Sequence, residues 1–329
     1  MRLHAGVLRG APFSLSGILL SPARPHIRES DFALKLELDE GNKAVLMLVI
    51  LSIGWGVTWP IMKIALMEIP PLSMRMGTAG IGACVVVAIA TMRNRSLFVP
   101  RDAWVHVFLS GLLNIVGFSL FSAFAQLTAT TSRVAILAYT MPIWSCLLAR
   151  VILGERMTTN RQIALALCVA GLAVLVYPLA EHGVPGGIVL ATGAGFSWAA
   201  GTIYLKWAKI SADPIGVAAW QIISGFFVIA VCVPVFEGSV HLWPVSGWAL
   251  FGVIFTGAIG SGIAYVLWFD IIKVLPAMTA SLGVLSAPVI GVVSSMLILG
   301  ECPTLPDMIG FALIFAASAC VLIRPQQGQ

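Results

Sequence analysis

Aromatic side chains lie deep inside the long apolar stretches of this sequence, where they could bind an apolar or ring-bearing solute. Trp55 and Trp198 lie near the middle of two such stretches, 143 positions apart. Tryptophan is enriched at the ends of membrane-spanning segments, so a central position indicates either packing between helices or the wall of a cavity. We predict a cavity, and its candidate ligand-binding residues are Trp55, Trp59, Arg75, Asn114, Phe118, Phe121, Tyr139, Trp198, Tyr265 and Trp268.

Arg75 is the charged member of this set, and it lies just inside an apolar stretch. Its guanidinium could bind a carboxylate of the ligand through two parallel hydrogen bonds. The alternative is that its side chain extends to the membrane surface, with the methylene stem in the apolar layer. Lys63 and Lys206 end their stretches at equivalent positions, and we predict that both are anchors at the membrane surface.

The sequence lacks the residue groups that catalysis or metal binding would require. Its six cysteines form no C-x-x-C pair, and no histidine lies near the middle of an apolar stretch. An enzyme would need a convergent acid, base, nucleophile or metal set, so we predict no catalytic residues, no metal and no cofactor. The net charge of +5 comes from scattered Lys and Arg, a pattern that argues against a nucleic-acid-binding surface.

Composition predicts the environment in which these residues must be positioned. Hydrophobic residues make up 59% of the chain and charged residues 10%, with a mean hydropathy of +0.99, whereas soluble domains carry about 25% charged residues. We therefore predict an all-α integral membrane protein. A helix needs about 20 apolar residues to cross a bilayer, and ten such stretches are found near residues 44–66, 72–91, 104–124, 134–153, 162–180, 187–205, 215–236, 247–269, 277–299 and 307–323.

Lysine and arginine are distributed unevenly between the loops on the two sides of the predicted membrane protein. One set of alternate loops, with the C-terminal tail, holds Arg93, Arg95, Arg101, Arg156, Arg161, Lys206, Lys209, Lys273 and Arg324. The opposite set holds Arg133 alone. Loops rich in Lys and Arg remain in the cytoplasm, so both termini are predicted to be cytoplasmic. Residues 1–43 are predicted to be a poorly ordered N-terminal tail, and residues 324–329 a cytoplasmic C-terminal tail.

A repeated phrase divides the chain into two halves. PIWSCLLARVILGE begins at Pro142, and PVIGVVSSMLILGE begins at Pro288, 146 positions later. Residues 44–180 and 187–323 are predicted to be two copies of one five-helix unit. Because five is odd, the second copy enters the membrane from the opposite face, which gives inverted repeats. Both prolines are predicted to kink their helices.

Small residues mark the last helix of each predicted half. Ala166 and Ala170 in the first half correspond to Ala312 and Ala316 in the second, and each pair is spaced four residues apart. This spacing places small side chains on one helix face, where helices can pack closely. We predict that this face of the last helix lies either at the periphery of the helix bundle or in the contact of a homodimer.

These features together resemble the drug/metabolite transporter superfamily, in its EamA-type branch. The resemblance rests on ten spans, two five-span repeats, WGVTWPIMK from Trp55 to Lys63, and the paired Pro…Leu-Gly-Glu phrases, and it covers residues 44–323. It implies a transporter in the bacterial inner membrane that exports small metabolites, often amino acids, with the lipid bilayer and a small-molecule substrate as its partners.

The aromatic residues lead us to expect that the substrate is a small zwitterion with an apolar or aromatic side chain. We expect the protein to move it by alternating access. The alternatives are a facilitator or antiporter for another solute class, either a drug-like cation or a phosphorylated sugar, and a channel-like membrane protein.

Overall fold

The computed structural model describes residues 29–128, 137–180, 185–300 and 305–322, and the regular structure of these residues is helical throughout. The chain separates into two compact units, residues 1–38 and 39–329. In the first unit only the beginning of helix α1 (Glu29–Leu66) is described. Residues 1–28 of the predicted N-terminal tail therefore lie outside the described residues, and the rest of that tail is helical.

The helices after α1 differ in length, because π-helical segments and turns divide some of the apolar stretches. Up to residue 180 they are α2 (Pro71–Met92), α3 (Trp104–Gly111), α4 (Phe118–Thr128), α5 (Met141–Ile152) and α6 (Thr159–Ala180). Beyond it they are α7 (Pro185–Ala208), α8 (Pro214–Phe236), α9 (Gly247–Phe255), α10 (Ala264–Val274), α11 (Ala277–Gly283), α12 (Ser286–Leu299) and α13 (Leu305–Leu322).

Six helical stretches within the described residues are long and apolar enough to cross a membrane. They are Asn42–Leu66, Pro71–Met92, Arg101–Ala125, Pro214–Phe236, Gly247–Val274 and Ala277–Leu299. Met141–Ile152 and Thr159–Val174 are shorter apolar helices. The prediction of an all-helical membrane protein is thereby confirmed for the described part of the chain, whereas ten spans in two inverted repeats stay a prediction.

Two π-helical segments, Leu112–Gly117 between α3 and α4 and Thr256–Ile263 between α9 and α10, lie at corresponding positions of the two halves. Such segments are wider than an α-helical turn and are frequent at functional sites. The second segment packs closely on α2, because a β-carbon added to Gly257 would lie only 2.7 Å from Cβ of Ile81. Glycine is needed there so that the two backbones can approach.

The two π-helical segments meet α1 and α7 through complementary small and large residues. A β-carbon on Gly260 would lie 3.0 Å from Cγ2 of Thr58, and one on Gly201 would lie 2.4 Å from Oδ1 of Asn114. Gly260 and Asn114 occupy corresponding positions, as do Thr58 and Gly201, at the offsets of the sequence repeat. Each contact therefore contains one glycine. In the first contact the glycine lies on the π-helical segment, and in the second it lies on α7.

In each repeated phrase an α-helix begins close to the proline and ends just before the glycine. A turn precedes α5, so Pro142 is the second residue of that helix, and a turn at 284–285 likewise precedes α12, which contains Pro288 as its third residue. The helix is thus interrupted just before each proline, because proline cannot donate to the carbonyl four residues earlier, and a kink at each proline stays a prediction. Gly154 and Gly300 follow the helices with φ of +66° and +67°, a conformation that favours glycine.

Carboxylates from distant parts of the chain satisfy the N–H groups at several helix starts. Glu155, just after α5, accepts hydrogen bonds from the first two N–H groups of α11 at 2.8 and 3.3 Å. Glu237, just after α8, accepts from two N–H groups in the first turn of α2 at 2.6 and 2.8 Å. These bonds occupy donors that have no partner within their own helix, and they fix where α2 and α11 begin.

Glu68, in the connection between α1 and α2, makes a similar contact with the start of α9. Its carboxylate accepts hydrogen bonds from the hydroxyl and the N–H group of Ser246 at 2.5 and 2.8 Å. The Ser246 hydroxyl and then its N–H group lower the pKa of Glu68 below the usual value for glutamate. Ser246 in turn caps α9 by accepting a hydrogen bond from the N–H of Ala249 at 3.1 Å.

Candidate functional site

A cavity of about 110 Å³ lies between α1, α2, α7, the two π-helical segments and the start of α5. A buried water needs roughly 10–15 Å³ on this scale, so the space is sufficient for several water molecules or part of a small solute. Seven of the ten predicted ligand-binding residues line it. They are Trp55, Trp59, Arg75, Phe118, Tyr139, Trp198 and Tyr265.

Trp198 lies at the centre of the aromatic part of the lining. Its ring centroid is 5.4 Å from those of Trp55 and Phe118, 5.5 Å from that of Tyr265 and 6.0 Å from that of Trp268. The first three pairs are edge-to-face, an arrangement worth about 0.5–1.5 kcal/mol per pair beyond burial. The cluster joins α1, α4, α7 and α10, so it positions cavity-lining rings from both halves of the sequence.

The two α1 tryptophans use their indole N–H groups for contacts within the protein. Trp55 Nε1 donates to the carbonyl oxygen of Gly260 at 3.0 Å, and Trp59 Nε1 donates to the hydroxyl oxygen of Tyr139 at 2.7 Å. The first bond ties α1 to the second π-helical segment, and the second ties α1 to the turn before α5. Both tryptophans therefore offer ring surface, rather than a free polar edge, to a bound solute.

Arg75 supplies the charge of the cavity lining. Its Nη2 donates to Ser122 Oγ at 3.3 Å, and its guanidinium carbon lies 5.9 Å from the centroid of the Phe118 ring. Among the described residues no carboxylate forms an ion pair with Arg75. Gln221, at the corresponding position in the second half, instead donates through Nε2 to Ser110 Oγ at 2.6 Å and is fully buried. The positive charge at this position is thus confined to one half of the repeat.

Three predicted ligand-binding residues lie outside the cavity lining. Trp268 is buried behind Trp55, with ring centroids 5.8 Å apart, and Asn114 is buried against α7, where its Oδ1 accepts from Thr202 Oγ1 at 3.5 Å. Phe121 is 41% exposed. All three lie on helical segments that border the cavity, but their side chains make packing contacts or are exposed.

Hydroxyl-bearing side chains form another part of the lining, of which the sequence indicated Ser119 but not four others. Their signal was weak because a hydroxyl inside an apolar helix commonly bonds to its own backbone, as Thr58 does by donating to the carbonyl oxygen of Gly54 at 2.7 Å. In the described part of the chain, Thr256 Oγ1 has no hydrogen-bond partner. These lining residues are Thr58, Thr78, Thr256 and Ser261.

Lys206 makes a tertiary contact instead of the surface anchor that the sequence predicted. Its Nζ donates to the carbonyl oxygen of Leu275 at 2.5 Å and lies 3.9 Å from Oε1 of Glu155, the carboxylate that caps α11. The contact joins the end of α7, the residues after α5 and the start of α11. We refer to Glu155, Lys206 and Leu275 as the Glu155 cluster, which lies outside the cavity lining.

Comparison with known proteins gives a consistent family relationship. The sequence profile of the EamA-like transporter family matches residues 42–177 and 185–323. The uncharacterized transporter YvbV of Bacillus subtilis strain 168 is 28% identical over 297 residues, which cover 88% of this chain and 94% of that protein. A probable amino-acid metabolite efflux pump of Salmonella typhimurium is 22% identical over 291 residues, covering 84% and 92%.

A solved crystal structure has a similar fold. It matches with a TM-score of 0.71 and 24% sequence identity, and the match covers 85% of this chain and 96% of the other. The family match confirms both the resemblance drawn from the repeated phrases and the prediction that the protein is a transporter rather than an enzyme. Because the two matched ranges together span most of the sequence, the chain belongs to the EamA-like transporter family of multi-pass membrane proteins.

Proposed function

We propose that this protein is a secondary transporter that exports small metabolites, namely amino acids or related apolar or aromatic zwitterions, across the inner membrane. The observation that carries the proposal is the cavity, in which aromatic rings surround one arginine. The rings provide an apolar surface for the body of the solute, and Arg75 provides donors for its carboxylate. The similarity to a probable amino-acid metabolite efflux pump supports this substrate class.

We further propose ten transmembrane helices in two inverted five-helix repeats, residues 44–180 and 187–323, with both termini in the cytoplasm. The two ranges matched by the family profile support the division into halves, and the nine positively charged residues of one loop set support the orientation. Inverted repeats allow the halves to rock about a central site, which supports alternating access. A homodimer through the last helix is part of this proposal.

The cavity argues against the two other solute classes. A lipophilic cation would meet Arg75, a like charge, and the described lining offers no carboxylate to compensate it. A phosphorylated sugar carries about two negative charges near neutral pH, yet the lining contains one cation and is largely aromatic or aliphatic. An apolar solute with one carboxylate matches both the charge and the surface.

Transport by the purified protein in liposomes tests the proposal. We expect saturable uptake of labelled phenylalanine or leucine, inhibited by an excess of the unlabelled amino acid. Trp55→Ala and Trp198→Ala should each reduce uptake about two- to tenfold, because each removes ring contacts worth about 0.5–1.5 kcal/mol. Trp248→Ala is the matched control, since Trp248 is 72% exposed and lies outside the lining.

Two results would contradict the proposal. Uptake that follows only lipophilic cations or phosphorylated sugars would show that the rings are packing residues and that the cavity serves another solute. Uptake that increases linearly with solute concentration, with no competition, would indicate a channel-like protein.

A further inference from the structure

We propose that the cavity recognises its substrate as an organic monocarboxylate with an apolar or aromatic body, and that an amino group on the substrate is not required. This inference rests on the proposed function and specifies which group of the substrate the cavity recognises. It implies that deaminated or N-acylated relatives of an apolar amino acid are substrates as good as the amino acid itself.

The first step of the argument is the balance of charge in the lining. Arg75 is the ionisable cation among the described lining residues, and these residues include no Asp or Glu. Two carboxylates next to or within neighbouring helices make contacts elsewhere. Glu237 accepts the N–H groups at the start of α2, and Asp270 lies 3.8 Å from Arg93. The described cavity therefore has a net positive charge until an anion enters.

The second step concerns the unused donors of Arg75. A guanidinium carries five N–H donors in a planar fork, and the described structure gives Arg75 one side-chain partner, the neutral hydroxyl of Ser122 at 3.3 Å. That bond is long for a charged donor. A partly buried charge with so few partners is costly. A carboxylate that accepts two parallel hydrogen bonds from the guanidinium would both neutralise this charge and occupy its donors.

The third step concerns the groups available to an ammonium. The hydroxyl of Tyr139 already accepts from Trp59, and the carbonyl of Gly260 already accepts from Trp55. The other side-chain acceptors in the described lining are neutral hydroxyl groups, and none of them is an ionic partner for an ammonium. An ammonium would also be repelled by Arg75 in a region of low dielectric constant. The amino group of a zwitterion therefore adds little to binding.

Binding of four probes that differ in one group tests this inference without requiring transport. The full-length protein in detergent is titrated with 3-phenylpropionate, phenylalanine, 3-phenylpropanamide and 2-phenylethylamine, and the change in tryptophan fluorescence is followed. Trp55, Trp59 and Trp198 line the cavity and serve as reporters. We expect 3-phenylpropionate to bind at least as tightly as phenylalanine, and about ten- to hundredfold more tightly than the amide or the amine.

Variants of Arg75 connect this preference to the guanidinium. Arg75→Gln should weaken 3-phenylpropionate binding about ten- to hundredfold. It should weaken binding of the amide by no more than about fivefold, because glutamine still donates a neutral hydrogen bond to the amide oxygen. The amide thus controls for folding of the variant. Arg75→Lys should retain part of the preference, since it keeps the charge without the planar fork. Arg150→Gln is the matched control, because Arg150 is exposed and lies outside the cavity lining. It should leave the binding of all four probes unchanged.

Three outcomes would overturn the inference. They are equal binding of the amine and the carboxylate, equal binding of the amide and the carboxylate, and no response to any of the four probes. Failure of the proposed function has a different signature, because the carboxylate preference would then be present in the binding series while liposomes showed no saturable uptake of any of these solutes.

Discussion

At the scale of single residues, the bond between Trp59 and Tyr139 shows how one side chain serves both packing and the cavity. The Tyr139 hydroxyl accepts the Trp59 indole N–H at 2.7 Å, and both rings line the cavity. The sequence predicted both residues as candidates from their aromatic character in apolar stretches. It could not predict that they bond to each other, because they are 80 positions apart and the pairing depends on how α1 packs against the turn before α5.

We expect Tyr139→Phe to destabilise the protein by about 1–3 kcal/mol, because the indole N–H of Trp59 loses its acceptor in a partly buried site. Thermal unfolding in detergent measures this change. Tyr177→Phe is the matched control, since Tyr177 is 71% exposed, and it should be neutral. The double variant Trp59→Phe/Tyr139→Phe should be less destabilised than the sum of the two single variants, because it removes donor and acceptor together. Strict additivity would show that the hydrogen bond contributes nothing.

At the scale of helices, close packing of α2 against the second π-helical segment positions Arg75 beside the aromatic rings. Glycine makes this contact possible, as the distances at Gly257 show. From the sequence, the repeat predicted only that these helices have counterparts in the other half. The widened turns themselves were not predictable, because they result from packing between helices and leave no periodic pattern in the sequence.

We expect Gly257→Ala to destabilise the protein by about 1–3 kcal/mol, because the new methyl group would lie 2.7 Å from Cβ of Ile81 and 3.0 Å from the carbonyl oxygen of Thr78. It should also weaken substrate binding, since α2 carries Arg75. Gly247→Ala has no atom within 4 Å of the added carbon and should be neutral or slightly stabilising. Equal effects of the two substitutions would contradict the close packing of α2.

The Glu68–Ser246 contact predicts a pH dependence at the start of α9. Because the folded-state pKa of Glu68 is lowered by the two hydrogen bonds from Ser246, its contribution to stability is present above the ordinary pKa of about 4.3. It is lost as the pH falls through the lower, folded-state pKa. Glu68→Gln should therefore be less stable than the wild type near pH 7 and should lose less stability on acidification. Parallel unfolding curves for the two proteins from about pH 7 to pH 3 would exclude the contact.

At the scale of the whole molecule, the cavity and the Glu155 cluster are both assembled from residues of the two halves. The sequence predicted the two halves, because the repeated phrase occurs once in each half with its prolines and glycines in register. It did not predict which carboxylate caps which helix, since Glu155 and the start of α11 are 122 positions apart. The sequence also predicted Lys206 to be a surface anchor. A lysine at the end of an apolar stretch gives the same sequence pattern whether its side chain faces water or a carboxylate.

The Glu155 cluster predicts that exchanging the charges of Glu155 and Lys206 does not restore the stability lost when Glu155 is removed. Glu155→Ala should cost about 0.5–2 kcal/mol, because two N–H groups of α11 lose their acceptor. The exchange Glu155→Lys/Lys206→Glu should fail to restore stability, because a lysine cannot accept those N–H bonds. Thermal unfolding tests this, with Lys209→Gln as an exposed control. Full rescue by the exchange would mean that the ion pair, rather than the helix cap, carries the contribution.

The uncompensated charge of Arg75 also bears on the energy that would drive the proposed export. A solute that leaves as a monoanion carries one negative charge outwards, in the direction favoured by a membrane potential that is negative inside. Each 100 mV contributes about 2.3 kcal/mol per charge, which corresponds to about a fiftyfold outward gradient at equilibrium. If Arg75 selects monocarboxylates and the empty carrier returns without net charge movement, the potential alone would drive their export, and the carrier would need no proton-binding carboxylate.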